Sequence, residues 1–416
     1  MMGRRSDTVS LDTLGCKLNK AESDSLGRSL ADIGCELVTP DDNPGVYILN
    51  TCTVTHVADR KSRHLLRLAR RRNPNCLIVA TGCYAERVPQ ELERMPEVDL
   101  VIGNGDKARL PDMLKQQMQG DGPGARHPRL RRTRSFIEVQ QGCNQFCSYC
   151  IVPYVRGREC SREADEVVND VRRSADEGYR EVVLTGTRIG SYRGGLGSLI
   201  QRVLDETEVR RLRLSSLQAP EITPDLLGLW QDSRLCRHFH IPLQSGSDTV
   251  LQRMGRRYTA ADYRLAVCQI RERIPDVAIT TDIMVGFPGE TPEEFAESYR
   301  FCDQTAFAGI HVFQYSARPG TRAAHMGVTI ADNIRKERSE AMLRLAKITS
   351  YNFRSRYISR YIDVLWEQRS SGGLWSGLTD NYIKAITQSD EHLANRCLPA
   401  KVSACSADYV TAELVL

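Results

Sequence analysis

Three cysteines stand in one short run, Gly142-Cys143-Asn144-Gln145-Phe146-Cys147-Ser148-Tyr149-Cys150, with the spacing Cys-x3-Cys-x2-Cys. A structural zinc site closes four ligands around the ion, usually from two Cys-x2-Cys pairs. No fourth Cys or His stands here where a second pair would place it. Three thiolates on a four-iron cluster leave one iron open, and an open iron can chelate a small molecule. The competing chemistry for the same residues is a zinc or thiol redox site, or three unrelated thiols.

A second set is dispersed. Cys16, Cys52 and Cys83 occur in Leu14-Gly15-Cys16-Lys17-Leu18-Asn19, Asn50-Thr51-Cys52-Thr53-Val54 and Thr81-Gly82-Cys83-Tyr84-Ala85-Glu86, each at a turn after an apolar run. In a parallel α/β sheet the C-terminal strand ends share one edge, so three loops there can bring three thiolates together. Helix N-termini following such loops are expected to lower thiol pKa and favour an anionic cluster. Buried free cysteine is also an ordinary core residue, and spacing alone leaves both readings open. The remaining eight, Cys35, Cys76, Cys160, Cys236, Cys268, Cys302, Cys397 and Cys405, lack matched contexts.

The elements that must position these residues follow from apolar patterning. Val46–Leu49 and Leu77–Ala80 read as buried parallel strands, with helices over about 20–33, 56–72 and 84–95. The Gly/Pro stretch from Gln119 to Ala125 breaks any helix. Beyond it, strands are expected at Ser135–Gln140, Glu181–Thr185, Arg211–Ser215, His238–Leu243, Ala278–Val285 and Ile310–Tyr315, separated by helices. Thr291-Pro292-Glu293-Glu294 is a helix start, with a capping Thr, Pro at the first helical position and Glu three after the cap. Six βα units favour a parallel sheet with right-handed crossovers, either an open partial barrel or a doubly wound sheet. The Cys143 run follows the first strand at its C-terminal end, where barrels carry their chemistry. A charged helix over about 331–357 leads to short alternating strands, Val364–Glu367, Tyr382–Thr387, Ala400–Ala404 and Val410–Leu416, with a turn at Gly372-Gly373. These suggest a small antiparallel barrel. The expected domains are residues 1–118, a basic linker at 119–132, a central domain at 133–350 and a last domain at 351–416.

At 416 residues, with a net charge of +5, the chain has room for two to three cores and shows no apolar run of membrane-spanning length. Fourteen cysteines without an apolar N-terminal leader point to a reducing compartment, the cytoplasm, and to metal work in place of a disulfide framework.

Taken together, these segments resemble the radical S-adenosylmethionine (SAM) methylthiotransferases. The resemblance rests on Thr13–Ser23, Asn50–Thr55, the Cys143 run with Tyr149 before its last cysteine, His240–Gly246, Asp282–Thr291 and Phe313–Thr321, in that order. It implies an N-terminal methylthiotransferase domain of parallel α/β type, a central radical SAM partial (βα)6 barrel and a C-terminal TRAM barrel. It implies two 4Fe–4S clusters and SAM. Cys143, Cys147 and Cys150 would hold the cluster that chelates SAM. Cys16, Cys52 and Cys83 would hold an auxiliary cluster whose open iron carries the sulfur to be transferred. One SAM would methylate that sulfur, and a second would yield the 5′-deoxyadenosyl radical that takes hydrogen from an unactivated carbon. No catalytic residue is expected beyond the cluster ligands. Tyr149 would flank the SAM adenine, Gly186 and Thr187 the methionyl end, Gln244 and Ser245 the ribose, and Gly286 the adenine again. The Cys16-Lys17 context and Gly377–Ile383 resemble the group acting on C2 of threonylcarbamoyladenosine beside the tRNA anticodon. Relatives modify isopentenyladenosine or a ribosomal-protein aspartate, and the alternative outside the enzyme class is a non-catalytic iron–sulfur RNA-binding protein. Expected partners are the tRNA anticodon stem-loop, an electron donor such as flavodoxin or ferredoxin, and a sulfur source, with no membrane.

Phosphate contacts need cations. Residues 60–72 contain no acid, and Arg60, Arg63, Arg67 and Arg70 share one helical face. The linker adds Arg131 and Arg132. A solvated charged face is the competing reading. From Tyr351 on, basic and acidic residues balance, so RNA contact by the last domain would draw on stacking by Trp375 or Tyr382 or involve only a few residues.

Overall fold

A computed structural model describes residues 7–117 and 133–415; the expected linker, with Arg131 and Arg132, lies outside the described residues. The chain divides into two compact units. Gln141–Gln145 and Cys150–Glu159 group with the N-terminal residues, whereas Phe146–Tyr149 and everything from Cys160 onward belong to the second unit.

The first unit is a parallel sheet of β1 (Thr8–Thr13), β2 (Glu36–Val38), β3 (Val46–Thr51), β4 (Leu77–Gly82) and β5 (Leu100–Ile102), ordered β2-β1-β3-β4-β5. Every residue of β3 and β4 is buried, as a strand covered on both faces must be. Alternate residues divide between two cores. Val46 and Ile48 pack with Leu26 and Leu30 of α1 (Lys17–Asp32), and Tyr47 and Leu49 with Leu66 of α2 (His56–Arg72). The single helix expected over 84–95 is two, α3 (Cys83–Arg87) and a short helix Pro89–Glu93. Pro89 supplies no backbone donor and breaks the ladder there.

In the second unit β6 (Arg134–Gln141), with the two-residue β7 (Cys160–Ser161) on its outer side, is followed by β8 (Glu181–Gly186) and β9 (Arg211–Leu214). Bridges Leu212↔Leu235 and Ser216↔His240 lead on to β10 (His238–His240), β11 (Ala278–Val285) and β12 (Gly309–Gln314). Six parallel strands thus follow one another in sequence order without the reversal that a doubly wound sheet requires. The result is a partial (βα)6 barrel. Its core joins Val182, Leu184, Leu212, Leu214, Ile279, Ile283 and Val285 to helix residues such as Val171, Ile200 and Ile270. The helix start at Thr291 forms as expected: its hydroxyl accepts from the Glu294 amide at 3.2 Å, and the Glu294 carboxylate accepts from the Thr291 amide at 2.9 Å.

Helix Asp332–Ser355 leads to a closed barrel of β13 (Tyr361–Arg369), β14 (Leu374–Thr379), β15 (Lys384–Gln388), β16 (Cys397–Cys405) and β17 (Val410–Leu414). Two expectations are corrected. β14 lies between the expected Gly372-Gly373 turn and the strand expected from Tyr382, where the sequence assigns no strand; a Cβ at Gly377 would press into the Leu365 backbone of the neighbouring strand. Nor is the barrel wholly antiparallel, since β15 and β17 run parallel. Five strands cannot close a ring by alternating direction, so one pair must be parallel. Trp375 is buried beside Trp366 in the barrel core and cannot stack on RNA. Tyr382 stacks on His238 at 4.5 Å and lies under the Arg213 guanidinium at 5.0 Å. Arg213, paired with Glu181 at 2.7 Å, also donates to the Thr379 and Asp380 carbonyls. Glu181 and His238 are the first residues of β8 and β10, and Arg211, the first of β9, donates to the Leu378 and Asp363 carbonyls, so the small barrel holds the N-terminal strand ends and leaves the opposite ends for chemistry.

Candidate metal and cofactor site

β1, β3 and β4 are neighbours, and the pairings Thr13↔Asn50, Asn50↔Thr81 and Thr51↔Gly82 align their ends. Cys16, Cys52 and Cys83 therefore leave the sheet at one edge. The approach is close: a Cβ on Gly15 would stand 2.8 Å from the Cys52 Cβ. Gly82 has φ +94°, and a Cβ there would meet the Thr51 carbonyl at 2.5 Å and its amide at 2.6 Å, so only glycine delivers Cys83 to this edge. The Thr51 hydroxyl accepts from the Tyr84 amide at 3.2 Å and donates to the Thr81 carbonyl at 2.5 Å, tying the β3 and β4 loops together.

The expectation that helix N-termini lower these thiols fails for Cys52 and Cys83. Cys52 precedes its helix by several residues, and burial, reinforced by Cys83 and Cys16, pushes its thiol up to about 11. Burial also raises Cys83, with Arg156 opposing. Metal binding must displace these protons. A set made only of thiols suits an iron–sulfur cluster. Among the described residues no three Cys, His, Asp or Glu side chains meet closely enough to hold one ion, whereas a four-iron cluster gives each thiolate its own iron.

A buried ionic group, absent from the sequence reading as a site, backs this edge. Arg156 donates to Glu22 at 2.6 Å and to the Asn19 side chain at 2.6 Å, and Lys107 donates to Glu22 at 2.7 Å. Burial works against the Glu22 charge, but Arg156 and Lys107 outweigh it and hold the carboxyl at about 2. Two cations against one carboxylate leave a net positive charge near Cys83 and Cys16, both of which favour charged Arg156. Ile151 and Val155, from the same segment as Arg156, pack on Cys83. The only advance signal was Glu22, inside the first cysteine motif.

The Cys143 run follows β6. Gly142 has φ +71°, and a Cβ there would collide with the Arg158 carbonyl, while the Cys143 amide donates to the Gly157 carbonyl at 3.1 Å. In the second unit, the Ser148 amide and hydroxyl donate to the Met254 and Arg253 carbonyls at 2.8 and 2.9 Å. That anchors Cys147, Ser148 and Tyr149 to the end of helix Asp248–Met254. Tyr149 packs on a cluster of Val250, Met254, Phe287 and Tyr315.

The other positions expected at SAM differ in what they offer. Thr187 Oγ1 is buried without a hydrogen-bond partner, an orphan donor that suits a polar ligand. A Cβ at Gly186 would run into the Gln140 carbonyl. Gln244 takes φ +70°, a strained conformation for a non-glycine residue of the kind that collects at ligand sites. Gly286 has φ +71°, and its amide donates to buried Glu290 at 2.8 Å, which Arg338 neutralises at 2.6 Å. Ser245 is corrected: it is fully buried, shares a 2.9 Å hydrogen bond with Ser298 and accepts from the Ser247 amide at 3.2 Å. It supports the turn and presents nothing to a ribose. In the barrel, Asp282 stands between His240 at 3.3 Å and His311 at 3.4 Å, on the face of β11 opposite core Ile283.

The expected RNA-binding face of α2 is largely committed within its own unit. Arg63 pairs with Glu91 at 2.9 Å, Arg70 with Asp99 at 2.6 Å, and Arg67 approaches Glu97 at 3.8 Å. The acids lie later in the sequence, on the chain that packs beside α2, so the run itself gave no sign of them. Arg60 and Lys61 are exposed and form no ion pair among the described residues.

Residues 137–302 match the family model described as the Radical SAM superfamily, and residues 8–103 match Uncharacterized protein family UPF0004. The chain is 33% identical to threonylcarbamoyladenosine tRNA methylthiotransferase MtaB of Bacillus subtilis (strain 168), over 98% of this chain and 96% of that protein. It is 36% identical to the protein of that name from Aquifex aeolicus, covering 90% and 95%. It is 31% identical to tRNA-2-methylthio-N(6)-dimethylallyladenosine synthase of Acetivibrio thermocellus, covering 94% and 88%. Among solved structures, the radical SAM methyltransferase TsrM of Kitasatospora setae superposes with a TM-score of 0.57 at 17% identity, covering 89% of this chain and 80% of that one, a likeness of fold. The fold and these relatives define a radical SAM enzyme. The chain belongs to the tRNA methylthiotransferase family within that superfamily. The cofactors of such an enzyme are two 4Fe–4S clusters and SAM.

Proposed function

We propose that this enzyme installs a methylthio group at C2 of N6-threonylcarbamoyladenosine beside the tRNA anticodon. Cys16, Cys52 and Cys83 hold the auxiliary cluster, and Cys143, Cys147 and Cys150 hold the cluster that chelates SAM. When bound, these groups supply the sulfur, the methyl and the radical; the protein supplies binding, orientation and exclusion of water. The observation that carries the reading is the convergence of Cys16, Cys52 and Cys83 at one edge of the N-terminal sheet in a chain that also carries the Cys143 run. The Cys143 run accounts for a SAM-binding cluster by itself, which leaves the first set free to hold the cluster that carries the sulfur. The net positive group of Arg156, Lys107 and Glu22 suits an anionic cluster, and the Thr187 hydroxyl is available to the methionyl end of SAM. Electrons come from a flavodoxin- or ferredoxin-type donor, and sulfur from a separate source.

A second reading, methylthiolation of an isopentenyl-type adenosine, is favoured by the 31% identity to the Acetivibrio thermocellus synthase. Mass spectrometry of nucleosides from total tRNA decides, comparing cells with the gene, without it, and with Cys16→Ala. Loss of the methylthio group from threonylcarbamoyladenosine in both altered strains is the expected result. Loss from isopentenyladenosine instead establishes the second reading, and unchanged tRNA in the deletion contradicts both.

A further inference from the structure

We propose that Arg256 is a positioning residue that hydrogen-bonds the Cys147 thiolate and raises the reduction potential of the cluster held there. The inference rests on Cys147 being a cluster ligand, as read above. Helix Asp248–Met254 ends at Gly255 in a left-handed turn, φ +72°, which carries the chain back over the cysteine run. The Arg256 Nη1 then donates to Cys147 Sγ at 3.5 Å. Its Nε donates to the Tyr258 hydroxyl at 3.1 Å, with the guanidinium carbon 4.8 Å from that ring. Tyr258 donates in turn to the Pro242 and Leu243 carbonyls, at 2.8 and 3.0 Å. The guanidinium is thus clamped between the thiol and the C-terminal end of β10, immediately before strained Gln244.

The charge of Arg256 is the telling feature. Arg256 is half-buried; among arginines withdrawn from water, Arg156, Arg213 and Arg338 face carboxylates, Glu22, Glu181 and Glu290, while Arg211 and Arg354 are met by backbone carbonyls. Arg256 forms no ion pair with a carboxylate among the described residues; its acidic neighbours are Tyr258, Tyr149 and Cys147. A cation left without a counter-charge is costly, and a Cys147 thiolate on a cluster supplies one. Hydrogen bonds to cluster sulfurs are among the levers that set potential. Reduction adds negative charge, so a cationic donor stabilises the reduced form more and eases electron entry.

The experiment is a redox titration of the full-length holoenzyme, followed by electron paramagnetic resonance, for wild type, R256Q and R256K. The auxiliary cluster serves as the internal standard. R256Q is expected to lower the equilibrium constant for one-electron reduction of the SAM-binding cluster about tenfold, about 59 mV, with the auxiliary cluster unmoved. R256K, which keeps the charge and loses the planar fork, is expected between R256Q and wild type. An unchanged midpoint in R256Q overturns the proposal, and so does weakened SAM binding at an unchanged midpoint, which would place Arg256 on SAM. Should R256Q not take up its iron, R256K and Y258F carry the same titration, and an unmoved midpoint in both overturns it. The underlying assignment is tested apart, by iron content of Cys147→Ala. Full iron there removes the premise; loss of one cluster keeps it, whatever Arg256 does.

Discussion

The two cysteine sets reach similar ends by opposite routes. Cys143, Cys147 and Cys150 share one loop, fixed by carbonyl contacts at Gly157, Arg253 and Met254. Cys16, Cys52 and Cys83 come from three loops and meet only because β1, β3 and β4 are neighbours in register. A local set depends on the turn that carries it, whereas a dispersed set depends on the whole sheet. The environments differ as well. Arg156, on the dispersed set, is neutralised in part by Glu22, and Arg256, on the local set, pairs with no carboxylate among the described residues.

The sharpest way to break this comparison is to remove each set. Replacing Cys143, Cys147 and Cys150 by Ala is expected to abolish both 5′-deoxyadenosine formation and methylthiolation. Replacing Cys16, Cys52 and Cys83 is expected to abolish methylthiolation while SAM cleavage persists. Chromatography of the nucleoside products checks both.

Stability should separate the regions next. Glu22→Gln leaves Arg156 and Lys107 facing one another, and breaking a buried pair costs about 3–5 kcal/mol. Glu22 titrates at about 2 in the fold against 4.5 for the free side chain. Its contribution is therefore complete above about pH 4.5 and is lost as pH falls through about 2. Urea unfolding of wild type and variant is expected to differ at pH 7 and to converge towards pH 2.

Gly82→Ala and Gly142→Ala compare the turns that deliver the two sets. Both sites have positive φ and backbone in the path of a Cβ, a strain of about 1–3 kcal/mol each. Gly82→Ala is expected to loosen iron only at the auxiliary site and Gly142→Ala only at the SAM-binding site, read from iron content after chelator challenge. The smallest effect is expected at Thr187→Val. Loss of the orphan hydroxyl should raise the KM for SAM about tenfold, the value of one hydrogen bond, with thermal stability unchanged.

What the sequence made legible follows the same division. The local set is written in its spacing, and the order of βα units defines the partial barrel. The dispersed set needed the resemblance, because strand adjacency is not written in spacing. Arg156 and Arg256 escaped notice because a buried arginine looks like any other until its neighbours are known. Arg63, Arg67 and Arg70 failed as a free basic face for the converse reason, since Glu91, Glu97 and Asp99 lie outside the run. Strand β14 is hidden because Gly377 interrupts the apolar alternation just after the Gly372-Gly373 turn, at a point where the Leu365 backbone comes close.

Mössbauer spectroscopy and iron analysis of the reconstituted wild type and the two triple-cysteine variants test the central claim most directly. About eight irons in wild type and about four in each variant, with the two remaining spectra distinct, is the expected result. A Cys16, Cys52 and Cys83 variant that keeps all its iron would contradict the two-cluster assignment at its dispersed half.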